Sequence, residues 1–104
     1  MVGFIAVENF AHYNIAMHSL QRKAKSLGAT EFGTSSRQGK RYYVIYQNKI
    51  IHFGSREGSA YIDHHDKHVR AAWIARHSKV KNRAGQYVMT LKTSASYWAR
   101  HILW

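Results

Sequence analysis

YYVIYQNKIIHFGS, Tyr42 to Ser55, is the stretch whose reading decides the fold. Two runs of bulky β-prone residues, YYVIY and IIHF, flank Gln47, Asn48 and Lys49, which accept turn geometry. The stretch therefore reads as a β-hairpin with those three residues at its tip. YYVIY is almost continuous in large side chains, which places it centrally in a sheet with one face under a helix. Upstream, SSRQGK separates it from a further β-prone run that starts at Ala29. The economical reading of Ala29 to Phe53 is a three-stranded antiparallel meander, ended by GSREGS.

Helical spacing flanks this sheet on both sides. Between Asn9 and Leu27, the residues Phe10, Tyr13, Met17, Leu20, Ala24 and Leu27 recur in steps of three and four, and Gly28 stands where a C-cap needs a positive φ. Downstream, YIDHHDKHVRAAWIARHSKV (Tyr61 to Val80) reads as one second helix. Ile62, Val69, Ala72 and Trp73 share a side, and Asp63 and Asp66 each precede a base by four residues, Lys67 and Arg70. SKVKNRAGQ, Ser78 to Gln86, reads as an exposed cationic connection. A closing helix begins at Thr93 or Ser94, with Trp98, Ile102 and Trp104 available for burial. The expected fold is a single basic α+β domain over 1–104, its short antiparallel sheet packed against two to three helices.

Charge narrows the partner. Sixteen Lys and Arg stand against five acids, a net charge of +11 on 104 residues. A field of that size attracts polyanions: nucleic acid, an anionic membrane surface or an acidic protein. The absence of cysteine excludes disulfide frameworks, thiolate nucleophiles and Cys-based zinc sites. Met1 to Val7 is apolar but far too short to span a bilayer and lacks the pattern of a secretory signal, so no membrane insertion is expected.

The cations expected to contact the anionic partner are Lys40, Arg41, Arg70, Arg76, His77, Lys79, Lys81, Arg83 and Arg100. Interleaved aromatic residues include Tyr42, Tyr46, Trp73, Tyr87, Tyr97 and Trp98, of which Trp73 and Trp98 occupy apolar helical faces suited to a core. With no recognised nucleic-acid motif, the expected mode is sequence-independent backbone contact. The eight histidines add a pH term: affinity for a polyanion should rise as pH falls from about 7.5 to 6.

The enzymatic alternative is a metal-dependent nuclease using His64, His68 and His77, since His64 and His68 are four apart. No glutamate stands between them as in HExxH, and a GIY-YIG nuclease would need a glutamate after Glu57, the last in the chain. No catalytic set, metal site or cofactor is therefore assigned.

Over residues 41–104 the order of motifs resembles a family of small basic proteins of unknown function in large double-stranded DNA viruses. The likeness is carried by YYVIYQNKIIHFGS, by Ser59, Tyr61, Ile62, His64 and Asp66, by Arg70, Arg76 and His77, and by TSASYWARHILW. The resemblance implies a non-enzymatic virion component, a minor capsid or internal protein. Its expected partners are packaged nucleic acid or acidic surfaces of neighbouring capsid proteins, in the virion and in host cytoplasm or nucleus during assembly. It also implies architectural roles: Gly54 for a sharp exit from the hairpin, and Arg76 with its stem beside Trp73.

Overall fold

The computed structural model describes residues 16–104. Helix α1 occupies 16–26 of these, and Phe10 and Tyr13, expected on the same helix, lie outside the described residues. Ala24 is fully buried, with Met17, Leu20 and Leu27 packed beside it, as the three-and-four spacing requires. The helix ends in a Schellman motif. Ala29 N–H donates to the Ala24 carbonyl at 3.1 Å and Gly28 N–H to that of Lys25 at 3.0 Å, closed by Gly28 at φ +107°.

Strands β1 (Glu31–Thr34), β2 (Lys40–Tyr46) and β3 (Lys49–Ser55) form the antiparallel meander in the order β1-β2-β3, with the YYVIY run in the middle. Tyr46 pairs with Lys49, so the hairpin tip has two residues rather than three. Both of them, Gln47 and Asn48, take positive φ (50° and 63°), the handedness that matches a twisted two-residue hairpin. The register sets Phe32 opposite Val44 and Tyr42 opposite Phe53, and all four side chains are buried. With a side-chain period of two, Tyr43, Ile45, Ile50 and His52 fall on the other face, which is much more open.

The second helix differs from its expected form. YIDHHDKHVRAAWIARHSKV folds as two helices, α2 (Tyr61–His64) and α3 (Lys67–His77), separated by His65 at φ +54°. The cause lies in the two aspartates. Asp63 is engaged by Arg41 from β2, with Nη1–Oδ2 2.6 Å and Nη2–Oδ1 2.7 Å, and its Oδ2 also accepts from Ala60 N–H at 2.7 Å. Asp66 becomes the N-cap of α3, its carboxylate accepting from the N–H groups of His68 and Val69. Neither acid is used in the four-residue pairings with Lys67 and Arg70 that one continuous helix would have offered.

The chain closes with a 3-10 turn (Val88–Thr90), helix α4 (Ala95–Trp98) and a π-helical turn (Ala99–Leu103). Ser94 caps α4, its hydroxyl accepting from Tyr97 N–H. Trp98 is wholly inaccessible, and its indole N–H donates to the Lys92 carbonyl at 2.7 Å, so the largest core ring leaves no stranded donor. Ile102 and Leu103 join Phe53 and Val44 around it, so the terminal segment and the sheet share one core. Gly54 lies at φ +80°, and a Cβ there would stand 2.6 Å from Leu103 Cδ1. The hairpin exit thus needs glycine both for its backbone and for the close approach of the terminal turn.

Candidate nucleic-acid interface

Positive charge is left free by the fold. Among the described residues, which include all sixteen Lys and Arg, the one ion pair is Arg41 with Asp63. That fork holds the Asp63 carboxyl below its ordinary range, first through the guanidinium hydrogen bonds, and raises the Arg41 guanidinium further above its own. Arg41, expected to grip an external anion, instead ties β2 to α2. Lys40 is half-buried at the start of β2. Its carbonyl and that of Ser35 accept from the Arg56 guanidinium, which thereby fastens the β1–β2 connection to the exit of β3.

The remaining expected cations are spread over α3, the connection after it and the terminal turn. The Arg70 guanidinium lies over the Tyr61 ring at 4.2 Å, which anchors α3 to α2. His77 stacks on Trp73 at 4.0 Å and 16°, with Nδ1 2.9 Å from the Trp73 carbonyl. A carbonyl only accepts, so Nδ1 carries the proton in that bond. Lys79, Lys81 and Arg83 are exposed on the connection after α3. This connection is ordered locally: Lys81 pairs with Tyr87 in an antiparallel bridge, and the Asn82 side chain accepts from Ala84 and Gln86 N–H at 3.0 Å each. The ammonium of Lys81 lies 4.7 Å from the Tyr87 ring centre. Three cations are thus held outward on a short built loop.

A second cationic group gathers around His101. The desolvation of its ring comes first, then the charges of Arg100, Lys23 and Lys92, and together they hold its imidazole below the ordinary histidine range. These cations come from the terminal turn, α1 and the loop before α4. Lys92 is positioned by donating to the Leu27 carbonyl at the end of α1, 2.9 Å away, with Tyr46 beside it. His101 packs against Tyr97 at 4.3 Å. Of this group, only Arg100 is among the cations expected from sequence to form the site. Lys23 and His101 are brought in by packing between segments more than seventy residues apart in sequence, for which no local signal exists.

The histidines considered for metal chemistry go to separate tasks. His64 and His68 lie on different helices, so the same-side spacing of a single helix is lost. His64 Nδ1 accepts from Asp66 N–H at 2.9 Å, and its ring packs against Tyr61 and Trp104. Among the described residues, no three His, Asp or Glu converge as metal ligands. Nor is any described helix long and apolar enough to cross a membrane.

Aromatic stacking organises the corner where α3 meets the chain's last residues. Trp73 is parallel to Trp104, with centres 4.9 Å apart and planes 11° apart, and nearly parallel to His77 as well. Trp73 is therefore engaged by its own protein and only partly buried, rather than a member of the central core.

Residues 30–77 match a family of unknown function (DUF5754). The similar stretch takes in the meander, α2 and α3. It starts before the expected resemblance and stops short of the cationic loop and of TSASYWARHILW. No curated protein and no solved structure matches the chain.

Proposed function

We propose that the protein is a non-enzymatic nucleic-acid-binding component of a particle, gripping the phosphate backbone without reading sequence. The observation that carries this is the isolation of its positive charge. With a net +11 and, among the described residues, a single ion pair, most basic side chains have no carboxylate partner in their own fold. Such charge is costly through self-repulsion and is repaid when an external polyanion displaces counterions. The Lys79–Lys81–Arg83 loop and the Lys23–Lys92–Arg100 group around His101 are the two grips. Placement inside a virion of a large double-stranded DNA virus rests on the motif resemblance.

The test is retention on duplex DNA of unrelated sequences across a salt series. Binding should be equal among sequences and lost by about 0.5 M salt. Replacing Lys79, Lys81 and Arg83 together by Ala should flatten the salt slope by about 2–3. Because His101 titrates below its ordinary range, the gain in affinity on acidification should extend below about pH 6.5 and shrink in His101→Gln. Binding that is indifferent to salt would overturn the reading.

A second reading, contact with neighbouring particle proteins, is favoured by the open sheet face. Ile50 is 61% exposed there, on the same face as Tyr43 and Ile45. It requires Ile50→Lys to abolish assembly while leaving DNA retention intact.

A further inference from the structure

Between the loop leaving β3, helix α3 and the terminal turn lies a cleft of about 360 Å3. Its walls are chemically one-sided. Arg76 supplies a guanidinium, Ser55 and Ser59 supply hydroxyls, and Trp73 and Trp104 supply indole rings, while Val69, Ala60 and Leu103 make it apolar between them. Among the described residues, no carboxylate side chain lines it. Arg76 has no acidic partner among the described residues, and the ring N–H groups of Trp73 and Trp104 make no hydrogen bond among them, in contrast to that of Trp98.

A cleft rich in donors, whose one ionised side chain is a guanidinium, selects a ligand rich in acceptors that places its negative charge on that guanidinium. Its apolar walls select one with a flat organic body. We propose that this cleft binds a nucleoside monophosphate, as the free nucleotide or as the phosphorylated end of a strand. Arg76 forks onto two phosphate oxygens with the Ser55 and Ser59 hydroxyls beside it, and the base lies along Val69 and the indole edges with its acceptors toward the ring N–H groups. The volume, at the small end for ligand pockets, suits one nucleotide and excludes a duplex. The proposal rests on the nucleic-acid reading only for the source of the ligand, because Arg76 and the loop cations Lys79, Lys81 and Arg83 are separable by mutation.

Titration of the full chain with AMP and with UMP, followed by tryptophan fluorescence, tests it. Trp98 is inaccessible, so a saturable change reports Trp73 and Trp104. Arg76→Ala should weaken binding at least about tenfold, and Arg76→Lys should recover only part of it, because an ammonium cannot fork. Adenosine should bind more weakly than AMP by a similar factor. A 5′-phosphorylated oligonucleotide that competes with AMP where its unphosphorylated twin does not would identify a strand end as the source. Competition by neither would identify the free nucleotide. The Lys79→Ala, Lys81→Ala, Arg83→Ala variant should keep AMP binding while losing salt-sensitive duplex retention, so the two readings fail independently. No saturable response to either nucleotide into the millimolar range, or an unchanged response in Arg76→Ala with its far-UV circular dichroism intact, would overturn the proposal.

Discussion

The sheet with its terminal segment and the stretch from Tyr61 to Ser96 are built on opposite terms. The first contains Val44, Phe53, Trp98, Ile102 and Leu103, all essentially inaccessible. The second, more than a third of the described chain, contains no fully buried residue. It is attached through the Trp73–Trp104 stack, the Arg41–Asp63 fork and the hydrogen bonds that Lys92 makes with Leu27 and Trp98, while Arg70 over Tyr61 and the Asp66 cap hold its own helices together. Yet it carries Arg70, Arg76, Lys79, Lys81, Arg83 and Lys92. The difference teaches that hydrophobic burial sets stability in one region, while the other is an arm on which charge can be displayed without being desolvated.

The largest expected effect tests the body. Trp98→Ala removes the fully buried ring and leaves the Lys92 carbonyl without its donor, which costs about 3–5 kcal/mol. Against a total stability of about 5–15 kcal/mol, most of the margin goes. Urea unfolding should show sheet and arm lost in a single transition at a much lower midpoint. If the arm alone melted and the sheet kept its midpoint, the body would not depend on Trp98 and the division between body and arm would fail.

A smaller effect tests the arm. Trp104→Ala removes the ring that Trp73 stacks on and that His64 touches, a loss of about 1–2 kcal/mol from an aromatic pair that is only half buried. Amide exchange should quicken across α3, around Val69 to His77, while Val44 and Phe53 in the sheet keep their protection. Equal loss in both regions would merge arm and body into one cooperative unit.

The body is largely legible in the sequence and the arm is not, for a physical reason. YYVIY, the Met17–Leu20–Ala24–Leu27 spacing, Gly28 and Ser94 each state a local requirement that burial then enforces, so meander, first helix and closing cap follow from neighbours in sequence. The hairpin tip is one residue shorter than expected because Lys49 has no turn preference strong enough to decide on which side of the boundary it falls. DHHD reads as helix because it holds neither glycine nor proline. What breaks it is Arg41, twenty-two residues away, which takes Asp63 out of the helical pairing and leaves His65 to turn left-handed. The site is legible as a list of cations but not as a surface. Local sequence cannot tell that Arg41 is spent internally or that Lys23 and Lys92 meet at His101.

Asp63 is where the two regions are joined, and it gives the smallest and sharpest test. Its carboxyl is held below the ordinary range, first by Arg41 and further by Ala60 N–H. The folded protein therefore binds that proton less readily than the unfolded chain. The resulting stability is fully present above about pH 4 and is lost as pH falls through the lower folded value. Asp63→Asn should cost about 1 kcal/mol at neutral pH, a modest figure because a third of the side chain faces solvent. Asp66, held low by the Val69 and His68 amides, titrates in the same acid window, so some pH dependence should persist in Asp63→Asn. The diagnostic is location. If the pair joins arm to body, the acid sensitivity that disappears in the variant is that of α2 amides around Ile62 and His64, read by exchange below pH 4. An acid limb unchanged in the variant would mean that the joint is held without Asp63, by the Trp73–Trp104 stack and the hydrogen bonds at Lys92, and that the break at His65 must have another origin than the capture of Asp63.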